Sequence, residues 1–446
     1  MKKVLSTVAA LGLIAGLAST ASAVEFKMSG KYLVEGAYLS DARGTGMDVT
    51  EAAGESTPSD AYWLHTFEIK PTMKVNDKIS MSSTIRLADD TFWGTQDDSG
   101  MGGTGSAGST VGPTTGDVYV HTLYMDYASP IGKTRFGRVP TGGYGTNFMD
   151  FDKRGNRVMW WPTFLDKPFS TLFYIEKATE NTVAGTANAE TDADSDTYVA
   201  RLYYNTDSLD SGIHYGYTNN MTNLAKSDRK QQLSAYGKYK MDNLFLNAEL
   251  THFFGEIDND AAGTPDSDYD SWAAMLQVGG KFDALTPSLM YFYASGQDRN
   301  EIVANGGDTE NALGTTGTGE LFEPLYILTG RHTGMLNNGI FSGNTGTMST
   351  AGVHGVVLAA DYAVSDRLKL HGAIGWAQAD EEQLAGQDDE YGWEYNIGAA
   401  YKLLDNLTYE AHFGYLDTGD FFNGAGNTPN ITENVYLLTH SLTMTF

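Results

Sequence analysis

The chain ends in Asn434-Val-Tyr-Leu-Leu-Thr-His-Ser-Leu-Thr-Met-Thr-Phe446, and every second residue back from the end gives Phe446, Met444, Leu442, then Leu438 and Tyr436. A period of two is the period of a β-strand, whose successive side chains point to opposite faces. Thr445, Thr443, Ser441 and Thr439 occupy the other face. The ending therefore reads as a strand with an apolar medium on one side and polar groups on the other, and His440 interrupts its apolar series.

The same alternation recurs through the chain. Phe26, Met28, Gly30, Tyr32, Val34 and Tyr38 share one parity, and Lys27, Ser29, Lys31 and Glu35 the other. Trp63, Phe67, Ile69, Met73 and Val75 stand against Thr66, Glu68, Lys70 and Lys74. Trp393, Tyr395, Ile397, Ala399 and Tyr401 oppose Glu394, Asn396 and Lys402, and Leu407, Tyr409, Ala411, Phe413 and Tyr415 oppose Glu410 and His412.

The beginning of the chain reads as an export signal. Met1-Lys2-Lys3 is a basic start, residues 4–17 are almost wholly apolar, and Ala21-Ser22-Ala23 has the small-x-small form of a signal-peptidase site. About 14 apolar residues are too few for a spanning helix, which needs roughly 20. Cleavage is expected after Ala23, leaving 24–446 as one domain. That domain has no long apolar run, and the mean hydropathy is −0.31. In a membrane, such a chain can satisfy its backbone only as a closed barrel. With 51 glycines, 26 tyrosines and 20 phenylalanines the composition suits tight turns and aromatic girdles. The absence of cysteine excludes a disulfide framework, a thiolate metal site and a c-type haem.

Connections alternate between short and long. Tight polar turns fall at Asn76-Asp77-Lys78, Ser129-Pro130, Asp166-Lys167-Pro168, Asp207-Ser208, Asp242-Asn243, Asp283-Ala284, Ser365-Asp366 and Asp405-Asn406. Long stretches rich in Gly, Ser, Thr and Asp lie at 41–60, 92–116, 139–156, 178–196, 219–230, 256–270, 296–350, 379–390 and 417–433. Eight turns and nine loops predict an all-β, transmembrane antiparallel barrel of 18 strands. Loss of the hairpin at 156–163 and 169–177, whose first strand holds Pro162, would leave 16. Either size is wide enough for a water channel.

The formal net charge is −27, and the long loops carry almost all of it. An acidic rim enriches cations at a channel mouth, over a screening distance of about 8 Å at physiological ionic strength. Asp192, Asp194 and Asp196, and Asp266, Asp268 and Asp270, are the candidates for a loop-bound divalent cation such as Ca²⁺, bridging to lipopolysaccharide phosphates; neither set has the spacing of an EF-hand. On the inward parity, Lys27, Lys31, Lys70, Lys74, Arg86, Arg201, Lys238, Lys240, Lys281, Lys369 and Lys402 meet Glu35, Glu68, Asp90, Asp126, Glu249, Glu394 and Glu410. Such a wall orients polar solutes and disfavours apolar ones.

The segment Lys133-Thr-Arg-Phe-Gly-Arg138-Val-Pro, leading into Thr141-Gly-Gly-Tyr-Gly-Thr-Asn-Phe-Met-Asp-Phe-Asp-Lys-Arg-Gly-Asn-Arg157, resembles the bacterial porins. The terminal strand resembles the last strand of their outer-membrane barrels. In porins the third external loop folds into the barrel and narrows it. That resemblance implies a constriction in which Asp150 and Asp152 face Arg86, Arg135 and Arg201, with Lys153, Arg154 and Arg157 in the eyelet or anchoring the loop. Arg138 shares the parity of Phe136 and is expected at a bulge or strand end. By the same resemblance, porins of 16 strands are commonly homotrimers, whereas 18-stranded export barrels are not reliably so.

A second stretch, Gly319-Glu-Leu-Phe-Glu-Pro-Leu-Tyr-Ile-Leu-Thr-Gly-Arg-His-Thr-Gly-Met-Leu336, resembles the 18-stranded alginate-export-type barrels, as does the "GR … YG … R … W" pattern between Gly137 and Trp160. An anionic polysaccharide calls for a strongly basic pore, and eleven basic against seven acidic wall residues falls short of that. Kinship in architecture rather than in cargo is implied.

Catalysis has no foothold. His252, His354, His371, His412 and His440 sit on separate expected strands with no serine signature beside them. No phosphate-cradling loop or basic nucleic-acid patch is present in the sequence. The expectation is a passive outer-membrane porin, embedded in lipid and lipopolysaccharide, without cofactor, for small hydrophilic solutes and favouring cations. The alternatives are a selective channel for oligosaccharides or organic ions, an adhesion or structural barrel, and a sheath around an electron carrier.

Overall fold

The computed structural model describes residues 24–40, 59–93, 118–140, 144–146, 148–149, 154–180, 193–222, 226–259, 266–298, 322–330, 351–381, 388–423 and 434–446. The strands are β1 (Glu25–Leu39), β2 (Asp60–Lys74), β3 (Ile79–Phe92), β4 (Tyr119–Ser129), β5 (Gly132–Pro140), β6 (Arg154–Pro162), β7 (Phe169–Thr179), β8 (Ser195–Asn205) and β9 (Leu209–Asn220). They continue with β10 (Lys226–Met241), β11 (Leu244–Asn259), β12 (Ser267–Gly280), β13 (Leu285–Ala294), β14 (Val353–Ala363), β15 (Leu368–Gln378), β16 (Glu390–Leu404), β17 (Leu407–Thr418) and β18 (Val435–Thr445). Every strand pairs antiparallel with its neighbours in sequence, and β1 pairs with β18 from Lys31↔Thr445 to Leu39↔Leu437. One sheet of 18 strands thus closes on itself. Both strands of the hairpin holding Pro162 are present.

The terminal stripe has the two faces its periodicity implies. Tyr436, Leu438, Leu442, Met444 and Phe446 are exposed on the outer surface, while Val435, Leu437, Thr439 and Ser441 are buried inside. His440 keeps the outward parity and joins an aromatic band: its ring meets Trp63 edge-on at 4.5 Å, and Trp63 stacks on Trp93 at 5.4 Å. The histidine belongs to the outer face because rings with a polar edge suit the boundary between lipid and water.

Closure is tightest at the last residue. Gly30 N donates to the Phe446 carbonyl at 2.9 Å, and Phe446 N donates back to Gly30 at 3.2 Å. The Phe446 ring lies over Gly30, where a Cβ would stand 2.3 Å from Cζ. Only glycine leaves that space. In the short turns, Asp242 and Asp283 take positive φ of 54° and 52°, the left-handed conformation that aspartate tolerates best after glycine and asparagine.

Two expected loops are largely strand. Residues 226–231, 256–259 and 267–270 extend the β10–β11–β12 ladder, where Arg229 pairs with Glu256 at 2.7 Å and with Asp258 at 3.2 Å, and Tyr269 donates to Asp228 at 3.1 Å. Sixteen residues of β10 make about 50 Å of strand, well over the height of an apolar band about 25 Å tall even when tilted. Above the lipid both faces meet water. The alternation that marks a strand disappears there, and sequence polarity alone reads as loop.

Gly30→Val places a branched side chain against the Phe446 ring and the Glu68 carbonyl, 2.7 Å from the first added carbon. Overpacking of this kind costs about 1–3 kcal/mol. The expected outcome is a smaller fraction of heat-modifiable, folded barrel on a seminative gel than for the unsubstituted chain.

Candidate pore lining

Among the described residues, the segment after β5 and the segment between β13 and β14 fold into the barrel. The first follows β5. Thr146 gives both its backbone N–H (2.7 Å) and its hydroxyl (2.6 Å) to one carboxylate oxygen of Glu249 on β11. Tyr144 donates to the Ser234 carbonyl on β10 at 2.9 Å, with its ring near those of Tyr236 and His214. Gly145 has φ 78°, and a Cβ there would stand 2.7 Å from the Glu249 carboxylate. Glycine is required on both counts.

The second segment, residues 322–330, lies between β13 and β14. Ile327 N and Leu328 N donate to the two carboxylate oxygens of Glu394 on β16, at 2.8 and 2.7 Å. The Tyr326 hydroxyl lies 2.8 Å from His412 Nδ1 on β17. Inner-face glycines form its seats: added carbons at Gly375 and Gly398 would meet Leu325 Cδ1 at 2.6 Å and the Tyr326 hydroxyl at 2.7 Å. Burial holds the phenols of Tyr144 and Tyr326 well above the ordinary tyrosine range, so both stay protonated.

The two segments touch. Phe148 meets Phe322 edge-on at 4.9 Å, and Phe322 meets Phe292 of β13 at 5.1 Å. Around this junction Met149, Phe253, Met275, Leu325, Ile327, Leu328, Val353 and Leu437 form an apolar core inside the barrel. Beside it, a cavity of about 370 Å³ is lined by Thr146, Lys238, Asn247, Gln277, Met290 and Glu323.

The inner wall of β1–β8 is charged instead. Glu68 is held by Lys70 at 2.7 Å and by Arg86 at 3.5 Å, with Lys31 across from it in register. Asp126 takes a two-pronged contact from Arg135 (2.6 and 2.9 Å) and a third from Lys133 at 3.0 Å. Glu176 meets Arg157 at 2.6 Å. Arg201 meets no carboxylate among the described residues: its Nε donates to His214 Nδ1 at 3.0 Å, and its guanidinium lies over the rings of Tyr144 and Tyr174. Arg157 shares the Tyr174 ring and keeps a buried Nη1 without a hydrogen-bond partner.

Of the expected constriction residues, Arg86, Arg135, Arg157 and Arg201 line this wall, and Glu35, Lys238 and Lys70 are also inward. Asp150, Asp152 and Lys153 lie outside the described residues. The acids that face the arginines here are Glu68, Asp126 and Glu176. Arg154 has the opposite parity to Arg157 and reaches His121 Nε2 at 3.2 Å. Arg138 keeps the parity of Phe136, is exposed, and donates to the His121 carbonyl. Glu249 and Glu394, expected as wall charges, are buried at 3% and 0% exposure and anchor the inward segments instead. Of the loop aspartates, Asp194 and Asp196 are held by Lys177 at 2.7 and 3.0 Å. Asp266 accepts the Asn259 N–H, Asp270 lies 2.8 Å from His252 Nε2, and Asp268 is in β12, while Asp192 lies outside the described residues.

Sequence reasoning missed Tyr144, Tyr174, His214 and the Phe148–Phe322 junction. For the segment 322–330 the signal available was the glycine at inward positions 375, 398 and 414, where an added carbon would meet Leu325, Tyr326 and Ile327.

No protein-family model matches the sequence, and the search of curated proteins finds no match. Solved structures do match. The crystal structure of Pseudomonas aeruginosa OccK9 (OpdG) aligns with a TM-score of 0.56 at 12% identity, covering 95% of this chain and 98% of that one. OccK8 (OprE) of the same organism gives 0.52 at 11%, covering 95% and 98%, and its outer membrane protein opdK gives 0.52 at 10%, covering 94% and 98%. What is shared at this identity is the fold.

Glu176→Ala leaves the Arg157 guanidinium buried beside Tyr174 without its acid. Breaking one partner of a buried pair costs about 3–5 kcal/mol. The folded barrel is expected to lose its structure at a lower urea concentration, and Arg157→Met combined with Glu176→Leu is expected to recover most of that loss.

Proposed function

We propose that this chain is an integral outer-membrane channel that lets small hydrophilic solutes and ions diffuse passively, with lipid and lipopolysaccharide around its apolar outer face. The reading invokes no cofactor and no chemistry. Its main support is the closed 18-stranded cylinder whose outer face is apolar and whose inner wall on β1–β8 is lined by paired and unpaired cations. The export signal and the fold shared with an outer membrane protein point to the same place.

Ion preference follows from two charged regions in series. The acidic loops enrich cations at the mouth. Inside, Arg86 and Arg135 are partly exposed on the inner wall, Arg157 and Arg201 lie buried against aromatic rings, and the carboxylates among them are already engaged. Rim charges in water are screened, whereas charges on a low-dielectric wall are screened much less. The rim gives the cation preference at low salt, and the wall favours the anionic group of a solute once the rim is screened.

In planar bilayers the purified protein is expected to give ohmic steps, and a barrel that passes no current overturns the reading. In KCl gradients the reversal potential should favour cations near 0.01 M, where the Debye length is about 30 Å, and shift toward anions near 1 M, where it is about 3 Å. Arg201→Gln, which orphans no carboxylate, should remove part of that shift.

A further inference from the structure

We infer that residues 144–146 with 148–149, and residues 322–330, act as one internal plug, and that Glu394 is the positioning residue that holds this plug at the depth which sets the width of the channel. The inference rests on the channel reading above.

Glu394 has 0% exposure, and its carboxylate oxygens accept the backbone N–H groups of Ile327 and Leu328. A buried carboxylate without a cation holds only if its oxygens accept hydrogen bonds. The wall carboxylate therefore depends on the segment, whose two N–H groups donate to it, one to each oxygen. Thr329 stiffens the segment by closing a loop onto Leu325, through Leu325 N at 3.0 Å and the Leu325 carbonyl at 2.9 Å. What Glu394 grips is thus a preformed turn.

The grip extends to the other segment. Phe322 lies five residues before Ile327 and is wedged between Phe148 and Phe292. Phe148 lies two residues after Thr146, which Glu249 holds on the far side. Two buried acids, on β11 and β16, pin the ends of one continuous body whose middle is the pair of rings. A shift of residues 322–330 withdraws Phe322 from Phe148, so loosening either pin loosens both segments.

The test uses the full chain in planar bilayers, with heat-modifiable gel mobility reporting an intact barrel. Glu394→Gln offers one acceptor oxygen to two N–H donors, and Glu394→Ala offers none. Both are expected to raise unitary conductance and open-channel noise, the alanine more. Since the chain has no cysteine, a clean staple is available. A Cβ at Gly375 stands 3.1 Å from Leu325 Cγ, so Leu325→Cys with Gly375→Cys is within disulfide reach. Added to Glu394→Ala, the oxidised staple should restore the original conductance, and a reductant should raise it again. Phe322→Ala should give a rise that does not add to that of Glu394→Ala. Unchanged conductance in an intact Glu394→Ala barrel, or strictly additive effects, overturns the inference while leaving the channel standing. An unsubstituted protein that passes no current removes the channel reading and this inference with it. If Glu394→Ala does not insert, Glu394→Gln and Phe322→Ala decide the matter in the same assay.

Discussion

The pairing of β1 with β18 is the interaction on which everything else depends. In hydrocarbon no water is available to hydrogen-bond an unpaired strand edge, and each orphaned N–H or C=O costs several kcal/mol. Nine residue pairs from Lys31↔Thr445 to Leu39↔Leu437 remove both edges at once. The terminal carbonyl and N–H of Phe446 complete the ladder on Gly30. Closure makes the side-chain alternation meaningful, because only in a closed sheet does one parity always face lipid and the other always face the lumen.

That logic explains what could be read in the sequence. Strand number, turn positions and the inward parity of Lys31, Glu68, Arg86, Arg135 and Arg201 follow from a local pattern with period two. Where the pattern's cause is missing, the reading fails. Strands β10 to β12 rise above the lipid at 226–231 and 256–259, lose the apolar face, and look like loop. Glu249 and Glu394 share a parity with other wall residues, and parity says only that a side chain points inward. Whether it meets water or a folded segment is decided by residues about 100 and 70 positions away in sequence, Thr146 and Ile327. Long-range partnership of that kind leaves no periodic trace.

The filled interior is itself a consequence of width. A barrel of about eight strands packs its lumen with its own side chains, but 18 strands leave a bore that side chains cannot span. The chain fills part of it with backbone from two connections, seated on glycines at 375, 398 and 414. Backbone brought into a protein interior carries N–H groups that need acceptors. Carboxylates on the wall supply them, each able to accept several bonds. The same residue type therefore has two fates within one barrel, an ion pair on β2, β4 and β7 or a clasp for loop amides on β11 and β16.

The division of the wall follows. Where the segments dock, on β11 to β18, an apolar core forms inside the barrel, and Glu249 and Glu394 are spent on the segments' N–H groups. On β1 to β8, which the first segment reaches only through Tyr144 at Arg201 and Tyr203 among the described residues, Lys and Arg side chains crowd the acids that hold them, and Arg201 is balanced by aromatic faces, a histidine nitrogen and the Tyr203 hydroxyl. A guanidinium can stay in such a place because it is weakly hydrated and stacks on rings. On the channel reading proposed above, segments that occupy one side of the bore leave passage to the other, so the geometry of the plug and the charge of the wall would act on the same solute.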